Sequence, residues 1–460
     1  MINFVKYFPK IMWVIYIISK KQLLTHPGQY RLPTSIKCIG YVFCTIFYFK
    51  GLFIKPKDSF GKRLTDCFYD LGPIYIKFGQ TLSTRPDLIG IEVAENLKYL
   101  QDKLPPFDTK IVHEKIESKF GKKISDLFTK FDEKPVAAAS IAQVHKAQLK
   151  NGDIVAVKVL RPDISEKYER DMQFLEFGAK LASILIKKAK RLKPKEVIAV
   201  FRQSMKFELD LRSEAAAASR LYDNFINDDS LLIPKIYWEL TSSDIITLEW
   251  VKGVSIYDKD KIIKLGLDPK EAAAKIAVIF FNQAYRDGFF HADLHPGNIL
   301  VCQDGRIALV DFGIVGFLPE NDRLAIAEIL YAFLKRDYQL VAEIHQRIGY
   351  IPENTDLYQF GMSCRAVAEP IIGLAIKDIS IGNLLAQLFK VTEEYGMETQ
   401  PQLLLLQKTM VVVEGIGRSL DEDINMWQLA EPWIKEWAAK NLSPEAKILR
   451  VMKKLFNDLI

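Results

Sequence analysis

The segment His291-Ala292-Asp293-Leu294-His295-Pro296-Gly297-Asn298-Ile299-Leu300-Val301, followed ten residues later by Asp311-Phe312-Gly313, decides the reading of this chain. An H-x-D-x-x-x-x-N run offers a carboxylate that orients an attacking hydroxyl and an amide oxygen for a divalent cation, and the Asp of D-F-G offers a second cation ligand. The pattern describes a phosphoryl-transfer centre that clamps Mg²⁺ with ATP or ADP. Asp293 is the candidate catalytic carboxylate, with Asn298 and Asp311 on the metal. A competing reading makes His291 and His295 a helical zinc pair. It lacks the Glu of H-E-x-x-H, and Pro296-Gly297 interrupts the helix it needs.

Such a centre requires a phosphate-binding lysine upstream. Ile154-Val155-Ala156-Val157-Lys158-Val159 is a short β-type run carrying one Lys, like the V-A-I-K strand whose Lys holds the α- and β-phosphates. A lone Lys ending an apolar strand is commonly just solvated; its place between a turn-prone loop and a long helix favours the phosphate role. That helix is expected from about Lys195 to Tyr222 and contains Glu208-Leu209-Asp210-Leu211-Arg212-Ser213-Glu214. On a continuous helix Asp210 and Glu214 share a face, whereas Glu208 lies about 200° from Asp210. Glu214 is the candidate partner of Lys158, although a solvated acidic face is the commoner explanation of three carboxylates in seven residues.

Before Lys158, where protein kinases carry G-x-G-x-x-G, the chain reads Val136-Ala137-Ala138-Ala139-Ser140-Ile141-Ala142-Gln143-Val144. Glycine reaches φ > 0 and lets backbone N–H groups approach phosphates; the Cβ of alanine obstructs both. An alanine run alone reads as helix former, but its position makes it a candidate phosphate cover. A nucleotide under it is expected to present its γ-phosphoryl group poorly to a protein hydroxyl.

With these elements in order, the chain resembles the UbiB family of atypical kinases, associated with ubiquinone (coenzyme Q) biosynthesis. The strongest mark is Lys77-Phe78-Gly79-Gln80, matching the family's K-x-G-Q signature within Ile74–Leu88. Leu100-Gln101-Asp102-Lys103, the alanine-rich Ser140–His145 segment, the E-x-D element Glu208-Leu209-Asp210 followed by Glu214, and Gln407-Lys408-Thr409 with Glu414-Gly415 and Arg418 match further family segments. The resemblance runs from about residue 60 to 430. It implies an α+β, two-lobed protein-kinase-like fold with a helical extension bearing K-x-G-Q and a mostly helical large lobe. It also implies that Lys77, a second candidate catalytic residue, approaches Glu208 or Asp210, candidate cofactor-binding residues beside the nucleotide. A helical cover would exclude water and an extended peptide, disfavouring protein phosphorylation. His291-Ala292-Asp293 lacks the Arg of H-R-D, and little chain separates Gly313 from a helix-like segment at Glu320, so control by activation-loop phosphorylation is not expected.

Composition bounds the remainder. At 460 residues and 49% hydrophobic, the chain can bury two lobes and an appendage. Five cysteines without C-x-x-C spacing suit a reducing compartment. Residues 1–63 hold 11 Lys/Arg against one acid, Asp58, so the net charge of +6 originates there. Ile11–Ile18 and Cys38–Phe49 are apolar runs of eight and twelve residues flanked by lysines, short of the ~20 that span a bilayer. Trp13, Tyr16, Tyr41 and Tyr48 suit an interfacial belt, and the lysines suit anionic lipid. Packing of these helices on the kinase lobe is the alternative. No A-x-A site follows the first run, against a cleaved signal peptide. Many relatives end in two hydrophobic transmembrane helices; Lys408 and Glu414 interrupt the apolar runs Leu403–Leu406 and Met410–Val413, so peripheral association is expected.

The expected organisation is a membrane-associating segment (1–58), a K-x-G-Q helical extension (59–125), a small lobe (126–253) and a large lobe (254–460). Ile246–Val251 is expected as a strand running into a hinge. The favoured function is a nucleotide-hydrolysing atypical kinase at the cytoplasmic face of the inner membrane. It would act on or through polyprenyl ubiquinone precursors or biosynthetic enzymes, with no nucleic-acid partner. The alternatives are a small-molecule kinase of the aminoglycoside or choline kinase type, and a non-catalytic nucleotide- and lipid-binding scaffold. If the Cβ atoms of Ala137–Ala139 restrict the phosphate pose, single Gly replacements will change nucleotide preference or raise autophosphorylation with little loss of stability. Unchanged affinities and phosphotransfer across the three variants would count against it.

Overall fold

Alternation of apolar and polar residues builds the central hairpin of a first unit. In β4 (Ile154–Leu160), Val155, Val157 and Val159 are fully buried while Lys158 between them is only partly so. The computed structural model describes residues 4–28, 34–49, 53, 55–83, 89–97, 99–100, 105–185, 194–295, 297–372, 381–397, 400–422, 424 and 426–441. Thr84–Leu88, Gln101–Lys103, Pro296 and the Ser443–Lys447 segment, which entered the sequence reading, lie outside them. Two compact units result: residues 1–212 with 237–248, and residues 213–236 with 249–460.

In the first unit β4 pairs with β3 (Ala142–Leu149), which also pairs with β1 (Phe128–Phe131) and β2 (Ala137–Ala138); β6 (Ile245–Glu249) lies on the other side of β4. The helix Thr109–Phe120 starts on an Asp108 side chain that accepts from the N–H of Lys110 and ends on Gly121, whose φ of 64° is left-handed. It packs fully buried Val112 and Ile116 on Phe128, Val155 and Val157. By its packing this helix belongs to the sheet's core, although the sequence division at 125/126 put it with the extension.

The helices Phe4–Lys20, Phe60–Leu71, Pro73–Ser83 and Ile91–Leu97 share a second core, to which Val14, Ile17, Phe68, Tyr75, Ile76 and Leu97 contribute. Arg63 ties them together. Its buried guanidinium donates to the carbonyls of Lys21, Gln22 and His26 at 2.8, 2.8 and 2.5 Å. The N-terminal helix therefore packs on the K-x-G-Q helices, a partner different from the kinase lobe that the sequence reading offered as the alternative to surface association. The helix Thr34–Phe47 buries Gly40 and Cys44 but leaves Ile39, Tyr41, Val42 and Ile46 exposed. No helix among the described residues is long and apolar enough to cross a membrane.

Residues expected as one helix from Lys195 to Tyr222 form two, Pro194–Glu208 and Leu211–Asn224. Asp210 interrupts them, accepting from the N–H of Arg212 at 3.1 Å in the manner of an N-cap. The angular relation expected between Glu208 and Asp210 does not apply across this break.

The second unit carries a small sheet in the order β5 (Leu231–Leu232), β10 (Ile307–Leu309), β9 (Ile299–Cys302) and β7 (Gly253–Ser255), and a separate pair, β8 (Phe289–His291) with β11 (Val315–Phe317). Around them lie the helices Pro269–Phe281, Glu320–Leu334, Tyr338–Arg347, Leu357–Ile372, Ile381–Glu394, Pro401–Leu420 and Met426–Asn441. The α+β class and the mostly helical second half agree with the sequence reading.

His345 is buried beside Phe360 and Tyr350, and its Nδ1 lies 2.8 Å from the Val341 carbonyl. Burial pushes its pKa down to about 4 from an ordinary 6.5. The unfolded chain therefore takes up this proton first, and the stabilisation from neutral His345 is complete above pH 6.5 and is lost as pH falls from 6.5 to 4. At pH 5 the loss is about 2 kcal/mol. Thermal unfolding of wild type is expected to shift down between pH 7 and pH 5, and less in His345→Gln. Equal shifts in the two proteins would contradict this assignment.

Candidate functional site

Every residue of the K-x-G-Q motif has a physical task within the first unit. Lys77 Nζ lies 3.2 Å from Glu208 Oε2, with both side chains largely removed from solvent. Phe78 packs on Phe68 and on fully buried Phe201, ring centroids 6.2 and 5.1 Å away. At Gly79 a Cβ would stand 2.4 Å from Leu100 Cδ1 and 2.5 Å from a Phe68 ring carbon, so no larger residue fits without a shift. Gln80 Nε2 donates to the Leu100 carbonyl at 3.0 Å. Of the two partners expected for Lys77, Glu208 is the one observed. Asp210 is paired with Arg212 at 2.7 Å, and those hydrogen bonds hold its carboxyl below the usual range. The helix bearing Glu208 is itself braced, since Arg202 contacts Glu169 at 2.9 Å and Glu176 at 2.7 Å.

The alanine-rich segment is a hairpin and not a helix. Ala137 pairs with Val144 and Ala138 with Gln143, and the N–H of Ala139 closes the turn on the Ala142 carbonyl at 2.8 Å. Val136 is exposed, whereas Ser140, Ile141 and Ala142 are buried. Val144 stands opposite Lys158 in the β3–β4 register. Two side chains lock the hairpin. Arg161 donates to the Ala139 carbonyl through Nε (3.1 Å) and Nη2 (2.8 Å), and through Nη2 to Pro105 (2.9 Å). Buried Gln143 accepts from the Phe107 N–H at 2.9 Å and donates to the Phe107 carbonyl at 3.3 Å. Gln143 Nε2 also lies 2.8 Å from His145 Nε2, so this ring nitrogen accepts and Nδ1–H is assigned to the Asp132 carbonyl at 2.8 Å. Burial holds the His145 pKa below its ordinary value, in keeping with a neutral ring.

Short strands position the second unit's candidate residues. The H-x-D-x-x-x-x-N stretch joins β8 to β9, and D-F-G joins β10 to β11. Antiparallel pairing of His291 with Val315 and of Ile299 with Leu309 knits the two connections together. The Asp293 N–H donates to His291 Nδ1 at 3.2 Å, leaving Nε2–H for the Val310 carbonyl at 3.3 Å. Burial lowers the His291 pKa, and the ring packs edge-to-face on buried Phe312 at 5.5 Å. Buried Asn298 donates through Nδ2 to the Asp293 carbonyl at 3.0 Å, which leaves its Oδ1 lone pairs for a cation. Asp311 sits at φ 63°, a left-handed conformation that costs a side-chain-bearing residue roughly 1 kcal/mol or more. Lys408 Nζ lies 3.8 Å from Asp293 Oδ1, and His295 Nε2 lies 4.0 Å from its Oδ2. Carboxylate and amide oxygens suit a hard cation that completes its shell with water and phosphate. Among the described residues, no three or more His, Cys, Asp and Glu side chains group to hold a metal by themselves.

Lys158 belongs to the first unit, while Glu214, which is buried, belongs to the second. Sequence reasoning missed Gln283. A π-turn over Asn282–Asp287 extends the helix Pro269–Phe281 and directs buried Gln283 Oε1 to the His291 N–H at 2.9 Å. A helical periodicity carries no sign of such a turn, but π-turns recur at functional sites. Arg161 was also missed, its only signal being its place directly after β4.

The model of the ABC1 atypical kinase-like domain matches residues 99–345, and that of the UbiB helical domain matches residues 364–425. The chain is 40% identical over 446 residues to the "Probable protein kinase UbiB" of Marinobacter nauticus, covering 95% of this chain and 80% of that one. It is 43% identical over 397 residues to the protein of the same name from Pseudomonas fluorescens, covering 85% and 74%. Among solved structures, the Rv3197–erythromycin complex from Mycobacterium tuberculosis has a TM-score of 0.50 at 21% identity, covering 86% of this chain and 96% of that one, a likeness of fold. With these matches spanning both the site and the helical region, the chain belongs to the UbiB family of atypical kinases.

Proposed function

We propose that this protein is a nucleotide-hydrolysing atypical kinase that supports ubiquinone biosynthesis at the cytoplasmic face of the inner membrane. It would act on or through polyprenyl precursors or biosynthetic enzymes. The observation that carries the reading is Asp311, held in a left-handed conformation one strand connection from Asp293 and Asn298. Strain of this kind persists where function needs the carboxylate presented from a tight turn.

Lys158 is assigned to the α- and β-phosphates of ATP or ADP, in the same unit as the alanine-rich hairpin that Arg161 and Gln143 hold. Asn298 Oδ1 and Asp311 would hold Mg²⁺, which when bound neutralises charge on the phosphate oxygens. Asp293 orients water or an acceptor hydroxyl and takes its proton. His291 keeps the Asp293 backbone in place as a neutral ring, and Gln283 fixes the start of that segment. The Lys77–Glu208 pair is assigned to the K-x-G-Q cover, which excludes water and extended peptides.

Peripheral membrane contact is assigned to the helix Thr34–Phe47. Its inner side is set by Gly40, where a Cβ would stand 2.5 Å from Leu24 Cβ. Its outer side exposes Ile39, Tyr41, Val42 and Ile46, continued by exposed Phe49 and Phe53. An outward apolar face in a basic segment suits an anionic interface.

Asp311→Asn is expected to remove Mg²⁺-dependent nucleotide binding with the fold intact, whereas Asp293→Asn should retain binding and lose turnover. Unchanged affinity of Asp311→Asn in titration calorimetry would sink the metal assignment. Anionic liposomes are expected to stimulate hydrolysis by wild type, with the stimulation weakened in 0.5 M salt and lost in Val42→Asp/Ile46→Asp. Point changes are preferable to removing residues 1–58, because Val14 and Ile17 belong to the core. Flotation of the double variant as efficiently as wild type would exclude this face.

A further inference from the structure

We infer that Lys408 is a catalytic residue that supplies, from the helical domain, the cation for the phosphoryl group being transferred. The inference rests on the phosphoryl-transfer reading above. Three observations in the second unit converge on it.

The first is the surroundings of Asp293. Its backbone is consumed by His291, Asn298 and His295: the N–H meets His291 Nδ1, and the carbonyl accepts from Asn298 Nδ2 at 3.0 Å and from the His295 N–H at 2.9 Å. The carboxylate is left facing Lys408 at 3.8 Å and His295 at 4.0 Å. His295 is restrained by its own segment, its Nδ1 accepting from the Gly297 N–H at 3.0 Å. The second observation is the loop's composition: residues 292–301 contain no Lys or Arg, so the segment that bears the base brings no permanent cation of its own. The third is the setting of Lys408, the single charged residue in the stretch Pro401–Val413. Leu406, Thr409, Met410 and Val413 around it are buried, and Thr409 Oγ1 bonds the Leu405 carbonyl at 2.8 Å. The backbone beneath Lys408 is fixed, while its side chain is 42% exposed and can move by a few ångströms.

The step balances. The oxygen of water, or of an acceptor hydroxyl, forms a bond to the γ-phosphorus while its proton passes to Asp293. The bond from that phosphorus to the β–γ bridging oxygen breaks, and its electron pair leaves with ADP. Charge on the γ-phosphoryl oxygens and the departing proton both lie beside the Asp293 carboxylate. As the proton arrives, Asp293 loses its negative charge and its hold on the ammonium, which is then free to turn to the γ-phosphoryl oxygens and the charge they carry in the transition state. A lysine serves as a point charge at this position without the fork geometry of arginine.

The test uses the full chain and compares wild type, Lys408→Met and Lys408→Arg. Thermal midpoints and MgADP affinities of Lys408→Met are expected to match wild type within about 3-fold. Its kcat for MgATP hydrolysis should fall about 100-fold with little change in KM, and affinity for MgADP with aluminium fluoride should fall by a similar factor. Lys408→Arg should recover part of both. Wild-type kcat and wild-type aluminium fluoride binding in Lys408→Met overturn the inference while leaving the nucleotide site intact. Loss of MgADP affinity together with the thermal midpoint overturns it in favour of a structural role. Wild-type protein that neither binds MgADP nor hydrolyses MgATP overturns the site reading itself.

Discussion

Gly79 sets how closely the helix Pro73–Ser83 approaches Phe68 and Leu100, and much of the first unit is arranged around that approach. A methyl group at this position would sit well inside van der Waals contact. Because the backbone comes so near, Lys77 is delivered to Glu208 at 3.2 Å, Phe78 to Phe201, and Gln80 to the Leu100 carbonyl. The ion pair is largely shielded from solvent. Removing either partner alone would leave a partly desolvated charge, and such single deletions cost several times what the pair contributes. Arg63 extends the same assembly to the N-terminal helix by donating to the carbonyls of Lys21, Gln22 and His26 in the turn that follows it. The basic N-terminus is thus both a structural partner of the cover and the bearer of an outward apolar face.

The second unit solves a different problem: presenting three polar groups from short loops without losing them to solvent or to one another. It does so with β8–β11 and β9–β10, only three or four residues each, and with one buried neutral histidine. His291 spends both ring nitrogens on backbone partners, and so shapes the Asp293 segment. Asn298 spends its amide N–H on the same segment and keeps its oxygen. Close packing completes the arrangement at Gly316, where a Cβ would lie 2.2 Å from the Phe290 ring.

The alanine-rich hairpin occupies the place in the chain where protein kinases carry a glycine-rich loop, and it is held in a different way. Its turn is closed by backbone bonds and held from outside by Arg161 and Gln143, so conformational freedom is removed instead of supplied. A glycine loop keeps its conformational freedom, whereas a clamped alanine hairpin has little left. In this chain the hairpin, the K-x-G-Q helix and the Glu208–Asp210 element all belong to the first unit.

Local chemistry made much of this legible. The roles proposed for Asp293, Asn298, Asp311 and Lys158 rest on residue type and spacing along the chain, as do the strand character of Ile154–Val159 and Ile246–Leu248 and the K-x-G-Q family mark, which the structure and the family matches bear out. What the sequence could not display is what depends on neighbours distant in the chain. The choice of Glu208 over Asp210 for Lys77 followed from a helix break at Leu209-Asp210, where Asp210 capped the next helix. The alanine run became a hairpin because Val144 and Gln143 were opposite it, against its helical propensity. Packing assigned Thr109–Phe120 to the sheet, the π-turn aimed Gln283 at His291, and the helix Pro401–Leu420 brought Lys408 to a carboxylate 115 residues earlier in the chain. Residue chemistry and spacing determined the kind of site this protein carries, and long-range packing decided which side chains complete it, because burial and ion pairing are set by distances in space.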